Sequence, residues 1–296
     1  MRILVTGREG QVVRSLVERG ALAGATIIPL GRPELDLGGA GDAIAEAIKA
    51  VEPDVIVSAA AYTAVDKAES ERDLAFAINE RGPRAVAFAA RDLHVPLIHL
   101  STDYVFDGAG DQPYLEDDST EPNTVYGASK LAGELAVFAG HANSAVVRTA
   151  WVYSPFGSNF VKTMLRLAGE RDEISVVADQ RGNPTSALDI ADGVLSIARN
   201  LLSGDHRAHR GLFHMTGAGE ASWAEFAEAI FDASAEAGGP AATVRHIATA
   251  DYPTAAKRPA SSRLNSNKLA QVHGVRLPDW RQSLKGVVTR LLQQGA

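Results

Sequence analysis

The 296-residue chain contains no cysteine. That excludes a disulfide framework, a thiolate zinc site and a cysteine nucleophile. Aromatic residues make up only 6% of it, so an aromatic beside a chemical motif carries extra weight. No apolar run reaches the ~18–20 residues of a membrane span, because charge, proline or glycine interrupts each one; no membrane partner is expected. Basic residues are also in deficit. The 29 Lys and Arg stand against 36 Asp and Glu, a formal charge of −7, which is the wrong sign for a nucleic-acid surface. A small anionic ligand stays compatible with that balance, since one pocket can be locally positive. The run Ile3-Leu4-Val5-Thr6-Gly7 after Arg2 is too short for the apolar part of an export signal, and a cytoplasmic location is expected.

What is present is ordinary globular material, 46% hydrophobic and 22% charged, and long enough for about two domains. Short apolar runs at 2–6, 26–30, 54–58, 96–101 and 144–148 read as strands. Helical spacing separates them, at 11–18, 42–49, 69–92 and 125–139. Pro83 lies inside the third of these helical stretches and lacks an amide donor, so a break or a fresh helix start is expected there. Strands apolar on both faces and alternating with helices imply a parallel sheet covered on each side. The pattern loosens after Arg148: strands are expected at 174–178, 211–215 and 243–247, helices at 158–167, 188–200, 222–235 and 279–292, and a surface loop at 233–243. The expected fold class is α/β, a Rossmann-type doubly wound parallel sheet with a smaller C-terminal α/β domain. Residues 1–150 form the first domain, completed by a segment near 185–215, and residues 151–296 mainly form the second.

The string Gly7-Arg8-Glu9-Gly10-Gln11-Val12-Val13 joins the first strand to the first helix. Gly7 permits the tight turn. Gly10, Gln11 and Val12 bring backbone amides to the helix N-terminus, where a pyrophosphate binds. Val13 replaces the third glycine of the dinucleotide fingerprint, so the helix is expected to stand off the sheet or to repack. The second strand ends in Leu30-Gly31-Arg32 with no acid to hold a ribose diol. Arg32 could instead face a 2′-phosphate, which favours NADPH and leaves NADH as the alternative. Asp36 and Leu37 follow as residues for the adenine end.

Downstream come Ser101-Thr102-Asp103 and Tyr126-Gly127-Ala128-Ser129-Lys130. Thr102 is expected just past a strand end, where ligands sit in open α/β sheets. Tyr126 and Lys130 share a helix face one turn apart. A phenol can protonate the alkoxide left when a ketone accepts hydride. An ordinary tyrosine titrates near ~10, so a neighbouring ammonium, together with the positive nicotinamide of an oxidised cofactor, is expected to lower Tyr126. Lys130 can also hold a nicotinamide ribose, and Thr102 can align the substrate oxygen.

These residues resemble the extended short-chain dehydrogenase/reductase superfamily and, within it, the dTDP-4-dehydrorhamnose reductase family. The strings that carry the resemblance are Ala59-Ala60-Ala61-Tyr62-Thr63-Ala64-Val65-Asp66-Lys67-Ala68-Glu69, Leu100-Ser101-Thr102-Asp103-Tyr104-Val105-Phe106-Asp107-Gly108, Val125-Tyr126-Gly127-Ala128-Ser129-Lys130-Leu131-Ala132-Gly133-Glu134, Val147-Arg148-Thr149-Ala150-Trp151-Val152-Tyr153, Asp179-Gln180-Arg181-Gly182-Asn183-Pro184-Thr185 and Arg258-Pro259-Ala260-Ser261-Ser262. The string Asn159-Phe160-Val161-Lys162-Thr163-Met164-Leu165-Arg166 matches as well. The resemblance implies an NAD(P)H-binding first domain, a nucleotide-sugar-binding second domain, and Thr102, Tyr126 and Lys130 as the catalytic set. It places Ala60, Ala61 and Tyr62 along the cofactor, Tyr104, Trp151 and Asn159 beside the substrate, and Arg258 on its diphosphate, where a guanidinium suits phosphate oxygens better than Lys257 would. The implied reaction is NADPH-dependent reduction of the C4 ketone of dTDP-4-dehydro-L-rhamnose to dTDP-L-rhamnose, a precursor of surface polysaccharide. Some members bind Mg2+ through acidic residues at a homodimer interface; no such ligands can be placed in this sequence, and the metal is unassigned. Two alternatives stay open at this point: reduction of another dTDP-4-keto-6-deoxysugar, or a non-catalytic NADP-binding regulatory subunit.

Overall fold

The computed structural model describes residues 1–204 and 207–295. The parts of the expected segments that fall on Asp205, His206 and Ala296 lie outside the described residues. Six strands, β1 (Arg2–Thr6), β2 (Thr26–Leu30), β3 (Val55–Ser58), β4 (Leu97–Thr102), β5 (Ser144–Thr149) and β6 (Gly211–His214), make one parallel sheet in the order β6-β5-β4-β3-β1-β2. Side chains alternate across each strand, and here both faces are buried. Ile3 and Val5 pack with Leu16, Val194 and Phe213 on one side. Leu4 packs with Ile44, Ile48 and Val86 on the other. That is why these strands read as unbroken apolar runs rather than as alternating ones.

Strand β1 lies between β2 and β3; the chain passes from β1 to β2 on one side and then crosses to β3 on the other, and at this reversal a crevice opens at the carboxyl ends of the strands. Val13, where the fingerprint has glycine, is 2% exposed and lies in the same apolar cluster as Ile3 and Leu16. The substitution is absorbed by packing.

A second core gathers Tyr153, Val161, Phe226, Ile230, Trp280 and Val288 from the C-terminal half. Its helices are Phe160–Ala168, Trp223–Glu236 and Trp280–Gly295, and its strand pairs are short: Glu173–Val177 with Thr243–Ile247, Val152–Tyr153 with Thr185–Ser186, and Arg181–Gly182 with Ala221–Ser222. Arg290 grips Glu18 with two 2.7 Å bonds, tying the last helix to the first.

Three expectations are corrected. Thr102 is the last residue of β4 and pairs with Thr149, rather than lying beyond the strand. The loop expected at 233–243 is shorter, because the Trp223–Glu236 helix runs into it. A helix at Asn267–His273 was not foreseen. At Pro83 the fresh helix start is found, without an interruption of the chain's helical course: a π-helical stretch, Ala77–Arg81, runs directly into the Gly82–Asp92 helix, which holds Pro83 in its first turn. Widening the helix by one residue per turn is another way to accommodate a missing amide donor, and such stretches recur at functional sites.

The Val125–Gly140 helix is seated unusually close to its neighbours. Thr124 caps it, accepting from Gly127 N at 3.0 Å, and the Glu69 carboxylate accepts from Val125 N at 2.9 Å. A Cβ on Gly127 would fall 2.1 Å from the Tyr104 carbonyl oxygen, and one on Gly133 would fall 2.1 Å from that of Asn79. Gly133→Ala is therefore expected to destabilise by about 2–3 kcal/mol, whereas Gly286→Ala, at an open helix-surface position, should stabilise by about 0.5–1 kcal/mol. Urea unfolding of both variants checks the contrast; an unchanged midpoint for Gly133→Ala would mean that the backbone at Asn79 yields freely.

Candidate active site

Strand β4 ends at the centre of the sheet and delivers Thr102 and Asp103 into the crevice. The Thr102 hydroxyl donates to Asp103 Oδ1 at 2.9 Å and accepts from Tyr104 N at 3.3 Å. Asp103 is 3% exposed, and burial lifts its carboxyl to about 6, with the Ser262 and Thr102 hydroxyls opposing. The Val125–Gly140 helix supplies Tyr126, whose ring meets that of Tyr104 edge-on at 5.6 Å, and Lys130, whose Nζ donates to Leu100 O at 2.7 Å.

The expected effect of the lysine on the tyrosine is not found. Burial raises the Tyr126 phenol above its ordinary range, and the opposing influence is the Thr102 hydroxyl rather than Lys130. The reason is geometric, since the ammonium is turned onto the Leu100 carbonyl. Burial also depresses Lys130, to about 8, against the pull of the Glu134 carboxylate. That carboxylate is itself enclosed. Its oxygens take Arg148 Nε at 2.9 Å and Nη2 at 2.7 Å, with both side chains 3% exposed, and Ser101 Oγ also donates to it.

The residues expected to face a dinucleotide fall into two groups. Gly7 (φ +98°) turns the chain between β1 and the Gln11–Leu22 helix, and a Cβ there would stand 3.3 Å from that of Ala60. Only a bare backbone leaves this strand-end cradle open. Gly10 ends the loop, and the helix has neither a side-chain cap nor an acid in its first turn, so its first amides are available to an anion. Tyr62 is clamped beside the cradle: its N–H donates to Asn79 Oδ1 at 2.8 Å, and its carbonyl accepts from Asn79 Nδ2 at 3.0 Å. Arg32 is exposed at the end of β2, and Arg8, not singled out from sequence, lies nearby in an ion pair with Glu34 at 2.6 Å. Asp36 is occupied with a local turn, accepting from Gly38 N at 2.9 Å. The Leu37 side chain packs in the core, 5% exposed.

On the other side of the crevice the structure gathers Tyr104, Trp151 and Arg258 but not Asn159. Trp151 has φ +46°, a left-handed conformation that a bulky residue adopts only when its surroundings impose it. Its indole stacks on Trp223 at 3.6 Å and 6°, and its Nε1 donates to Ser262 Oγ at 3.1 Å. Arg258 Nη2 donates to Asp66 Oδ2 at 2.8 Å, and Ala256 N donates to the other oxygen at 3.1 Å. Arg258 also partly offsets the burial that pushes the Tyr104 phenol up to about 12. The Asn159 amide is spent internally. It caps the Phe160–Ala168 helix and donates to Gln11 Oε1 (3.0 Å), Ser154 O and Phe156 O; the Gln11 side chain is held in the same knot.

Sequence reasoning passed over Asn79, Asp66, Glu69, Glu134, Arg148 and Trp223. Asp66, Glu69, Glu134 and Arg148 stand inside the strings that carried the resemblance, which was the available signal. Among the described residues no group of three or more His, Asp or Glu side chains is placed to hold a metal ion, and no helix is long and apolar enough to cross a membrane.

The family model for the RmlD substrate binding domain matches residues 1–293. The dTDP-4-dehydrorhamnose reductase of Sinorhizobium fredii is 52% identical, covering 100% of this chain and 99% of its own. The crystal structure of the Clostridium acetobutylicum dTDP-4-dehydrorhamnose reductase superposes with a TM-score of 0.91 at 38% identity, over 99% of this chain and 100% of that one. That of the Bacillus anthracis dTDP-4-dehydrorhamnose reductase, in complex with NADP, gives 0.90 at 36% identity over 98% and 99%. With matches that run the length of the chain in both sequence and fold, the protein belongs to the RmlD family, that of the dTDP-4-dehydrorhamnose reductases.

Proposed function

We propose that the protein reduces the C4 ketone of dTDP-4-dehydro-L-rhamnose to dTDP-L-rhamnose with NADPH. The observation that carries the reading is the meeting, at the carboxyl edge of the parallel sheet, of a strand-end hydroxyl (Thr102) with a buried tyrosine–lysine helix face (Tyr126, Lys130), beside a glycine turn that keeps a cradle open. In this reading residues 1–150, with the segment near 185–215, bind the cofactor, and residues 151–296 mainly bind the sugar nucleotide.

The residues present fit a phosphorylated dinucleotide. A Cβ at Gly7 would narrow the cradle, and the uncapped helix amides behind Gly10 suit a pyrophosphate. Gly7, Gly10, Gln11 and Val12 hold it through their backbone. Ala60, Ala61 and Tyr62 line it, and Lys130 takes the ribose with the donors that Leu100 leaves free. Arg32, with Asp36 and the backbone of Leu37 behind it, meets the adenosine end. Arg8 adds a second guanidinium there, which supports the phosphorylated cofactor. When bound, the cofactor supplies the hydride that C4 receives.

The chain's own residues do the rest. Thr102 orients the carbonyl through its hydroxyl. Tyr126, kept protonated by burial, transfers its phenolic proton to the oxygen as negative charge develops on it. The Lys130 ammonium then stabilises the resulting phenolate until solvent returns a proton. Tyr104 and Trp151 bound the sugar, and Arg258, oriented from behind by Asp66, takes the diphosphate. Asn159 supports the site indirectly, by holding Gln11 at the helix start.

Two measurements test this. NADPH consumption by the purified protein should depend on added dTDP-4-dehydro-L-rhamnose, and Tyr126→Phe should lower kcat by about 10²–10⁴-fold with NADPH affinity nearly unchanged; consumption retained in the variant would place the acid elsewhere. Arg258→Ala should raise the sugar-nucleotide KM by about 10–100-fold, the worth of a charged hydrogen bond, while sparing NADPH binding. An unchanged KM would remove Arg258 from the substrate site.

A further inference from the structure

Neither the hydride nor the proton step uses the enclosed pair Glu134–Arg148. Burying such a pair is costly, and apolar residues of similar volume often serve stability as well or better. Its position is therefore informative. Glu134 lies one helical turn beyond Lys130 on the same face. Its Oε1 accepts both Arg148 Nε at 2.9 Å and Ser101 Oγ at 2.5 Å, and its Oε2 takes Arg148 Nη2 at 2.7 Å. Ser101 directly precedes Thr102 on β4, and Arg148 comes from β5, paired with Ser101 in register. One carboxylate thus binds the helix that carries Tyr126 and Lys130 to the strand end that carries Thr102. The Arg148 guanidinium is braced in turn by the Phe106 ring, 4.9 Å away.

We propose that Glu134, anchored by Arg148 and Ser101, is a positioning residue for the reduction: it fixes the Thr102 strand end against the Tyr126–Lys130 helix face and supplies the countercharge of the Lys130 ammonium. The proposal rests on the assignment of Lys130 to the catalytic set. The groups that face Lys130 leave this role to Glu134. From β4 comes the Leu100 carbonyl, a dipole without net charge. His99, also on β4, is fully buried, and burial together with the Lys130 charge keeps it neutral. Tyr126, one turn earlier on the same helix, stays a neutral phenol. Arg148, on β5, reaches the site from behind the carboxylate. Burial alone drives the ammonium toward deprotonation near neutral pH, and Glu134 opposes it. Without that charge, Lys130 should lose its proton at a lower pH still.

The test titrates Lys130 in the protein without cofactor, by NMR of lysine labelled with 13C at Cε, its resonance assigned by loss in Lys130→Arg. Glu134→Gln keeps a hydrogen-bonding side chain but leaves Arg148 buried and unpaired, at a cost in folding; the double variant Glu134→Leu, Arg148→Met removes the pair together and should fold. In Glu134→Gln the Lys130 midpoint should fall by about one pH unit; in the double variant, which also removes the more distant Arg148 cation, it should fall in the same direction by less. The alkaline limb of kcat/KM should fall with it; a one-unit drop from about 8 costs roughly fivefold in kcat at pH 8 and little at pH 6, while the sugar KM stays near the parent's. Glu134→Asp, which retains the charge, should keep the parental midpoint. A midpoint unmoved in a folded variant overturns the countercharge role, and a midpoint that moves without the limb overturns the link to turnover. Because the titration needs no cofactor, it is read independently of whether Lys130 proves essential to the reaction.

Discussion

The architecture of the site depends on how closely the Val125–Gly140 helix is pressed against β4 and its neighbours. At two points, Gly127 against the Tyr104 carbonyl and Gly133 against the Asn79 carbonyl, there is no room for a methyl group. Any larger residue would push the helix outward, and Tyr126 and Lys130 would move with it. Since effective proton transfer requires heavy atoms within about 3 Å, an outward shift of even 1 Å would affect the chemistry before it affected the fold. The close seating also explains the burial of Lys130 and Glu134: a helix that admits no side chain at Gly133 leaves little room for water around the residues next to it.

The same constraint gives meaning to the segment between β3 and the helix that follows it. Thr6 Oγ1 accepts from Ala59 N and Ala60 N at 3.0 Å each, fixing the floor of the cradle to β1. Asn79 clamps Tyr62 and also donates to Ser129 Oγ at 2.9 Å on the catalytic helix. Glu69 accepts from the first amide of that helix, and Asp66 holds the chain around Ala256 and Arg258 as it returns from the second core. A short stretch thus contacts cofactor cradle, catalytic helix and substrate loop. Its acids are spent on fastening rather than on chemistry.

The sheet was legible because its signal is local. β1 and β2 fall where the apolar runs place them, and Thr243–Ile247 does too. The Tyr126–Lys130 face needed only helical spacing. What escaped depends on partners distant in sequence. Pro83 announces a missing donor and a helix start, but the π-helical widening before it and the close approach of Gly133 to the Asn79 carbonyl are set by packing that no local pattern shows. Asn159 has the composition of a ligand residue, yet Gln11, far away in the chain, consumes its amide. Trp223 carries no signal of its own until Trp151 stacks on it. The Asn267–His273 helix is too short and polar to show a period, and only Leu269 and His273 bury.

The charge states at the site follow from burial more than from pairwise attraction, and they suit the reducing direction. A tyrosine acting as an acid should hold its proton until an alkoxide forms. Burial raises the Tyr126 phenol and enforces that, where an ammonium pressed against it would partly ionise it in advance. The cost falls on Lys130, whose charge the same burial disfavours, although a charge is needed once the phenolate appears. A carboxylate touching Lys130 directly would neutralise it and compete for the donors that a ribose requires. Glu134 avoids this by engaging Arg148 and Ser101 at close range while reaching Lys130 through its field. The site thereby keeps a neutral acid and a charged lysine side by side in a low-dielectric pocket, an arrangement that neither residue would maintain alone.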